Sequence, residues 1–528
     1  MSQITLFPRS TSFSEIIPLP ASKSESNRAL VINALAKGTL DNLSNLAEAR
    51  DTQTMIRLLS ENGPEADVLD AGTTMRFLTA YYAVTGAVKK MNGTPRMCER
   101  PIGILVDALR ALGADITYLN KEGYPPMQLN GFAFKGNREI SIRGDVSSQF
   151  ISAILMVAPL LPEGLKLQIT GALGSKPYIE MTLAQMKHFG IEAKADWSTG
   201  TIEIPKQVYR LQPFAVESDW SGASYWYSMV ALSPFEDSSL ELLGLKEDSL
   251  QGDSAIKAIM EPLGVKSTYT GRGYLLTKIP AQDSLAWDFT DCPDLAQTIC
   301  VVAAVLDIPL TLTGLESLKV KETDRVLALQ NELKKLGASL VEKEANHLYE
   351  VTGNFSAIAA IEPIETYDDH RIAMCFSLAA FGTPLRINDP ACVAKTFPEF
   401  FFVALHVGKG IRNVVTDRFD DADFFRGQHR TRFQENRQGA VQFVAVADRN
   451  HNHGQGMDLF AQRFASGGKT VGTIELTAQR NRLGLGYQFL KHYISVWNAK
   501  TRTITLLKRI FSRFSKNGSV QRIPAHFP

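Results

Sequence analysis

Six short clusters of hydroxyl, carboxylate and cationic residues recur along the chain, each immediately before an apolar run. They are Ser22-Lys23-Ser24-Glu25-Ser26-Asn27-Arg28, Asp70-Ala71-Gly72-Thr73-Thr74-Met75-Arg76, Gly144-Asp145-Val146-Ser147-Ser148-Gln149, Ser218-Asp219-Trp220-Ser221-Gly222, Asp291-Cys292-Pro293-Asp294 and Asp368-Asp369-His370-Arg371. From Ser148 to Gly222, Asp294 and Arg371 the steps are 74, 72 and 77 residues. The runs that follow, such as 151–161 and 373–381, are apolar on nearly every face, which predicts buried helices. A helix N-terminus offers unpaired N–H groups and the positive end of its dipole, so it attracts anions. Six such termini, if they converge, build a pocket for a ligand with several negative charges. Lys23, Arg28, Arg100, Arg325, Arg371 and Lys395 add cations from six separate segments. Arginine suits that task because its planar fork pairs bidentately with carboxylate and phosphate.

A second periodic element must position these clusters. Amphipathic stretches at 105–113, 181–190, 258–264 and 327–337 each end in glycine, and those glycines lie 77, 74 and 73 residues apart. Glycine just past the last turn adopts the left-handed conformation that stops a helix. One unit therefore reads as buried helix, strand, amphipathic helix and further strands. The first copy is short, with only 50 residues between Gly63 and Gly113, which predicts missing strand structure there.

With 528 residues and 45% hydrophobic content, the chain fits a soluble protein of two to four domains. No uninterrupted apolar stretch reaches membrane-spanning length and the first residues show no signal pattern, so a cytoplasmic location without membrane association is expected. Five cysteines without C-x-x-C spacing argue against a disulfide framework or a cysteine zinc site. No metal site is expected. Asp368-Asp369-His370, followed by Arg371 at a helix start, reads as a capping and arginine-positioning element. Asp41 and Asp51 read as solvated surface, and Glu322 and Arg325, at i and i+3, as sharing one helix face.

The net charge of +1 hides an asymmetry. Ala404 to Pro528 carries 20 Lys+Arg and 8 Asp+Glu, or +12, against −11 for the rest. This basic tail shows no periodicity; 449–456 reads as loop and 505–514 as a basic amphipathic helix. Three origins fit it: a nucleic-acid or acidic-partner segment, a disordered extension, or non-native coding sequence joined after Phe402. The abrupt change in composition favours the third. Nucleic acid is disfavoured as a partner, since neither a recognisable fold nor an aromatic platform is present.

The stretch from Leu19 to Leu30 (LPASKSESNRAL) resembles the N-terminal signature of the 5-enolpyruvylshikimate-3-phosphate synthase family. The resemblance continues through Asp70–Arg76 (DAGTTMR), Glu99–Gly103 (ERPIG), Val146–Phe150 (VSSQF), Ser175–Ile179 (SKPYI), Val320–Arg325 (VKETDR), Tyr367–Arg371 (YDDHR) and Ala394–Pro398 (AKTFP). It covers about residues 1–402, in order. It implies an α/β enolpyruvyl transferase fold, an inside-out barrel of six βαβαββ-type units with buried parallel helices. Two globular domains are then expected, one from 1–20 plus 217–403 and one from 21–216, with 404–528 outside the family fold. Closure of the cleft between them around the first substrate would complete the site.

The implied reaction moves the enolpyruvyl group of phosphoenolpyruvate to the 5-hydroxyl of shikimate 3-phosphate and releases phosphate. By the same resemblance, Lys23, Ser24, Arg28, Ser147, Ser148, Gln149, Ser175, Tyr178, Asp294, Ser317 and Lys321 would hold shikimate 3-phosphate. Lys23, Gly72, Arg100, Gln149, Arg325, Arg371 and Lys395 would hold phosphoenolpyruvate. A side chain at Gly72 would crowd that phosphate and the herbicide glyphosate alike. Lys23, Glu322 and Asp294 are the candidates for proton transfer, with Asp294 as base at the 5-hydroxyl and either Lys23 or Glu322 serving the methylene carbon. Lys23 is expected among cations, which eases loss of its proton. No cofactor is implied, and the family expectation is a monomer.

Ala21, Thr74, Phe77 and Ser317 depart from the family's usual residues. Ser317 stands where asparagine often contacts shikimate 3-phosphate, and Trp220 is a candidate to fill space left by the short first unit. Two rival functions are a UDP-N-acetylglucosamine enolpyruvyl transferase and an inactive body with a nucleic-acid-binding tail. The segment around Cys98 lacks the first rival's reactive-cysteine arrangement, and retention of every expected charged residue argues against the second.

Overall fold

Helices with no polar face have nowhere to go but the interior, and the six clusters introduce helices of this kind. In the computed structural model of the chain, all thirteen residues of the Trp220–Leu232 helix are buried. Most of Lys23–Leu35, Gly72–Val84, Ser148–Val157, Ala296–Leu306 and His370–Ser377 is buried too. The structure describes residues 3–8, 11–353, 355, 362–407 and six strands between 430 and 507. Contacts divide it into two compact units, Met1–Arg418 and Phe419–Pro528.

In the first unit the buried helices Gly72–Val84, Ser148–Val157 and Ala296–Leu306 are each the crossover between two parallel strands. Leu285–Asp288 pairs in parallel with Leu310–Thr313 across the Ala296–Leu306 helix. The Arg325–Lys335 helix then leads to Ala338–Glu344 and Leu348–Gly353, which complete a four-stranded sheet by antiparallel pairing. Parallel strands need such a crossover, and the helix supplies it. Three further four-stranded sheets share this order, centred on Val88–Asn92, Leu165–Thr170 and Ser239–Leu243. The short first copy has no four-stranded sheet of its own: Leu43–Ser44 pairs with Phe214–Ala215, and the Arg50–Ser60 helix is followed at once by Glu65–Asp67 of the next sheet. In the last copy Leu385–Asn388 pairs with Gln3–Leu6 from the start of the chain.

The helix-ending glycines all adopt positive φ: 124° at Gly113, 83° at Gly190, 94° at Gly264 and 80° at Gly337. At Gly113 the constraint is double, because a Cβ there would collide with the backbone of Ala133.

The buried apolar residues form two large cores. One unites Ile4–Leu19 with residues from Trp220 to Phe401; the other runs from Ala29 to Tyr209. The chain passes between them twice, and the two passages lie side by side. Ala21 bridges to Ser218, the Ser22 N–H donates to the Glu217 carbonyl at 2.8 Å, and the Asp219 N–H donates to the Pro20 carbonyl at 2.8 Å. Ser22 and Asp219 are also the N-caps of the helices that follow. Trp220 does not fill the short first unit. It lies in the other core, its ring edge-on to Tyr274 at 5.3 Å and its indole N–H on Glu217 at 2.8 Å.

Among the described residues of the second unit are three antiparallel strand pairs: Arg430–Glu435 with Val441–Val446, Leu459–Ser466 with Lys469–Leu476, and Ile494–Asn498 with Thr503–Leu507. The helix expected at 505–514 is therefore not formed at its start, where residues 505–507 end a strand. Its remainder and the loop expected at 449–456 lie outside the described residues.

Candidate active site

The cationic and acidic residues meet where helix N-termini from both cores face each other. Asp294, on the short turn Pro293–Leu295, lies between three cations: Arg371 Nη2 at 2.9 Å, Arg325 Nη1 at 3.0 Å and Lys321 Nζ at 3.9 Å. Arg325 is almost wholly buried and also donates to Glu322 at 2.8 Å and to Asp369 at 2.8 Å. Asp369 caps the helix that carries Arg371, accepting its backbone N–H at 2.9 Å. The capping and arginine-positioning reading of Asp368-Asp369-His370 thus matches the geometry.

Electrostatics fixes the charge states here. Burial would raise the Asp294 carboxyl, but Arg371, Lys321 and Arg325 outweigh it and hold Asp294 well below the usual carboxylate range. The same contest at Glu322, with Arg325 and Arg100 against burial, also ends with the carboxyl held low. Burial pulls the Lys321 ammonium below its ordinary value.

Segments from the second core complete the cluster. Arg100 Nη1 lies 4.0 Å from Glu322. A Cβ on Gly72 would come within 2.6 Å of Arg100 and 2.7 Å of Arg76, so only glycine leaves both guanidiniums in place. Lys395 Nζ reaches Asp70 at 3.3 Å and Asp368 at 2.9 Å, and Asp70 also holds Arg50 at 2.5 Å. Ser147 caps the Ser148–Val157 helix, and Gln149 donates to Thr73 at 3.2 Å. Ser175 has φ 58°, and its N–H bonds the Thr290 carbonyl at 2.9 Å, joining the two sides.

Arg28 is buried among hydrogen-bond and ring partners. It donates to Thr182 at 2.7 Å, to the Ser24 carbonyl at 2.8 Å and to Ser152 at 3.3 Å, with Phe77 and Tyr178 against its guanidinium. Phe77, one of the departures from the family residues, thereby packs against the Arg28 guanidinium. Ser317 lies on the turn Glu316–Val320 that leads into Lys321.

Three expectations need correction. Asp51 is not solvated surface: it is 7% exposed and pairs with Lys23 at 3.2 Å. Lys23 accordingly has a carboxylate as its direct partner rather than standing only among cations. Glu322 does not share the helix of Arg325, which begins at Arg325 with Asp324 as its cap; Glu322 meets Arg325 from the preceding turn.

Sequence reasoning also missed Arg76 and Asp253. Arg76 is buried, donates to the Gly72 carbonyl at 2.8 Å and lies over the Phe150 ring. Asp253 is buried and accepts from the Ser221 hydroxyl; burial and the nearby Asp294 push its carboxyl up to about 7. The arginine stood inside a quoted motif and could have been found, whereas nothing local marks the carboxylate.

The family model for EPSP synthase (3-phosphoshikimate 1-carboxyvinyltransferase) matches residues 60–403. A 3-phosphoshikimate 1-carboxyvinyltransferase of Bacteroides fragilis (strain YCH46) is 48% identical over 399 residues, spanning 75% of this chain and 96% of that protein. One from Cellvibrio japonicus (strain Ueda107) is 41% identical over 415 residues, spanning 73% and 95%. The solved EPSP synthase of Acinetobacter baumannii superimposes with a TM-score of 0.62 at 21% identity, covering 77% of this chain and 98% of that one, and so shares the fold. Motifs, fold and relatives agree: the chain belongs to the EPSP synthase family.

Proposed function

We propose that this chain transfers the enolpyruvyl group of phosphoenolpyruvate to the 5-hydroxyl of shikimate 3-phosphate, releasing phosphate, as a 3-phosphoshikimate 1-carboxyvinyltransferase of the shikimate pathway to chorismate and aromatic amino acids. The observation that carries this reading is the Asp294–Arg325–Glu322–Arg371 network. It holds two ionised carboxylates beside cations that a phosphate and a carboxylate can engage. Neither rival function is favoured by the family match.

Asp294, ionised by its three cations, takes the proton of the attacking hydroxyl as oxygen bonds to the central carbon of phosphoenolpyruvate. Glu322 is held ionised and is a poor acid at rest, which leaves the Lys23 ammonium to protonate the methylene carbon. Glu322 then removes a methyl proton as the carbon–oxygen bond to phosphate breaks. Arg100, Arg371 and Lys395 hold phosphoenolpyruvate, with Gly72 and Gln149 beside them. Ser24, Arg28, Ser147, Ser148, Ser175, Tyr178, Ser317 and Lys321 orient shikimate 3-phosphate. Closure of the 21–216 domain on the one formed by 1–20 and 217–403 excludes water. Among the described residues no helix is long and apolar enough to cross a membrane. The reading includes a monomer working in the cytoplasm, with the 404–528 segment dispensable. Phosphate release that needs both substrates tests it; no release with both present would overturn it.

A further inference from the structure

Behind Lys23 and Arg371 the site continues into a small cavity lined also by Ser221, Tyr225 and Thr396, with Phe397 on its apolar side. The Ser221 hydroxyl is accounted for, since it donates to Asp253. The other two are not. The phenolic oxygen of Tyr225 and Oγ1 of Thr396 are buried without a hydrogen-bond partner among the described residues. Tyr225 is only 1% exposed. Its ring sits edge-on to Phe400 at 5.3 Å, a packing role that phenylalanine would fill equally well. A buried hydroxyl left unpaired costs stability, so its retention needs a partner outside the fold. The cavity is large enough for a water, and a buried water needs two to four polar neighbours, which Tyr225, Thr396 and Lys23 supply.

We propose that this cavity holds a water that bridges the Tyr225 and Thr396 hydroxyls to Lys23, making Tyr225 and Thr396 positioning residues that act on proton transfer through Lys23. The water accepts a hydrogen bond from the Lys23 ammonium. Once another of the three ammonium protons has gone to carbon, the amine turns its lone pair to the water, which rotates and donates to it. No proton leaves the water; the hydroxyls fix its orientation in both states.

The test compares the whole chain with Tyr225→Phe, Thr396→Val and Thr396→Ser in steady-state kinetics and thermal unfolding. The expected result for Tyr225→Phe and Thr396→Val is a kcat lower by about tenfold, with KM for both substrates within about twofold. Their Tm stays close to that of the unaltered chain, because each hydroxyl bonds only the water and the packing of the Tyr225 ring on Phe400 is kept, and Thr396→Ser keeps its kcat. Raised KM at unchanged kcat would overturn the proposal by placing the hydroxyls on a substrate. Unchanged kinetics would overturn it, and so would a Tm that falls together with kcat, which marks a structural role. The proposal rests on the transferase reading, and the two fail separately. An inactive unaltered chain sinks that reading, whereas an active chain with insensitive variants sinks only this one.

Discussion

Lys23 is tied to Asp51 at 3.2 Å and stands at the N-terminus of a helix whose interior is packed independently of it. Lys23→Met should abolish phosphate release while the circular dichroism spectrum stays that of the folded chain, with Tm lowered because the buried Asp51 carboxylate loses its partner. Gly72→Ala would push on the guanidiniums of Arg100 and Arg76, which can swing away. Its expected signature is a raised KM for phosphoenolpyruvate, by about tenfold, with a smaller effect on kcat. Asp253 makes a prediction about pH. Its folded value of about 7 lies above the ordinary 3.8, so its contribution to stability is full below about 4 and is lost as pH rises through 7. Asp253→Asn should thus gain Tm relative to the unaltered chain between pH 5 and pH 8; a constant difference across that range would contradict the assignment. Asp294 and Glu322, held below their ordinary values of 3.8 and 4.5, act in the opposite sense. Their stabilisation is present above about pH 4.5 and is lost as pH falls further.

Elements were legible from the sequence where a local rule decided them. The glycine stops at 113, 190, 264 and 337 could be read because left-handed backbone is a one-residue requirement. Gly113→Ala, which combines φ 124° with a collision at Ala133, should lower unfolding stability by at least about 2 kcal/mol, measured by denaturant titration. The buried helices were legible because their sequences leave no polar face. Other features depend on which distant elements meet. Asp51 occupies the first turn of the Arg50–Ser60 helix, where a carboxylate is normally solvated and favourable; the approach of Lys23 and of the Thr74 hydroxyl, both distant in sequence, sets its buried surroundings. Asp253 belongs to a four-residue turn whose neighbours, Ser221 and Asp294, lie 32 and 41 positions away. Glu322 looked helical because i, i+3 spacing is a helix signature, yet Asp324 caps the helix after it.

At the scale of the molecule, the repeated unit explains why one site can gather six clusters. The two cores are joined by adjacent crossings at Pro20–Ser22 and Glu217–Asp219, and the pairs Arg100–Glu322 and Lys395–Asp70 set cluster residues of one core against those of the other. The family match ends at residue 403, and contacts separate Phe419–Pro528 as its own unit. A chain stopped after Arg418 should then keep kcat within about twofold of the full chain. The central claim, enolpyruvyl transfer at this cluster, is tested most directly by phosphate release from phosphoenolpyruvate with and without shikimate 3-phosphate, in the full chain and in Lys23→Met. The account predicts release only when both substrates meet the unaltered chain. Release without shikimate 3-phosphate, or undiminished release by Lys23→Met, would contradict it.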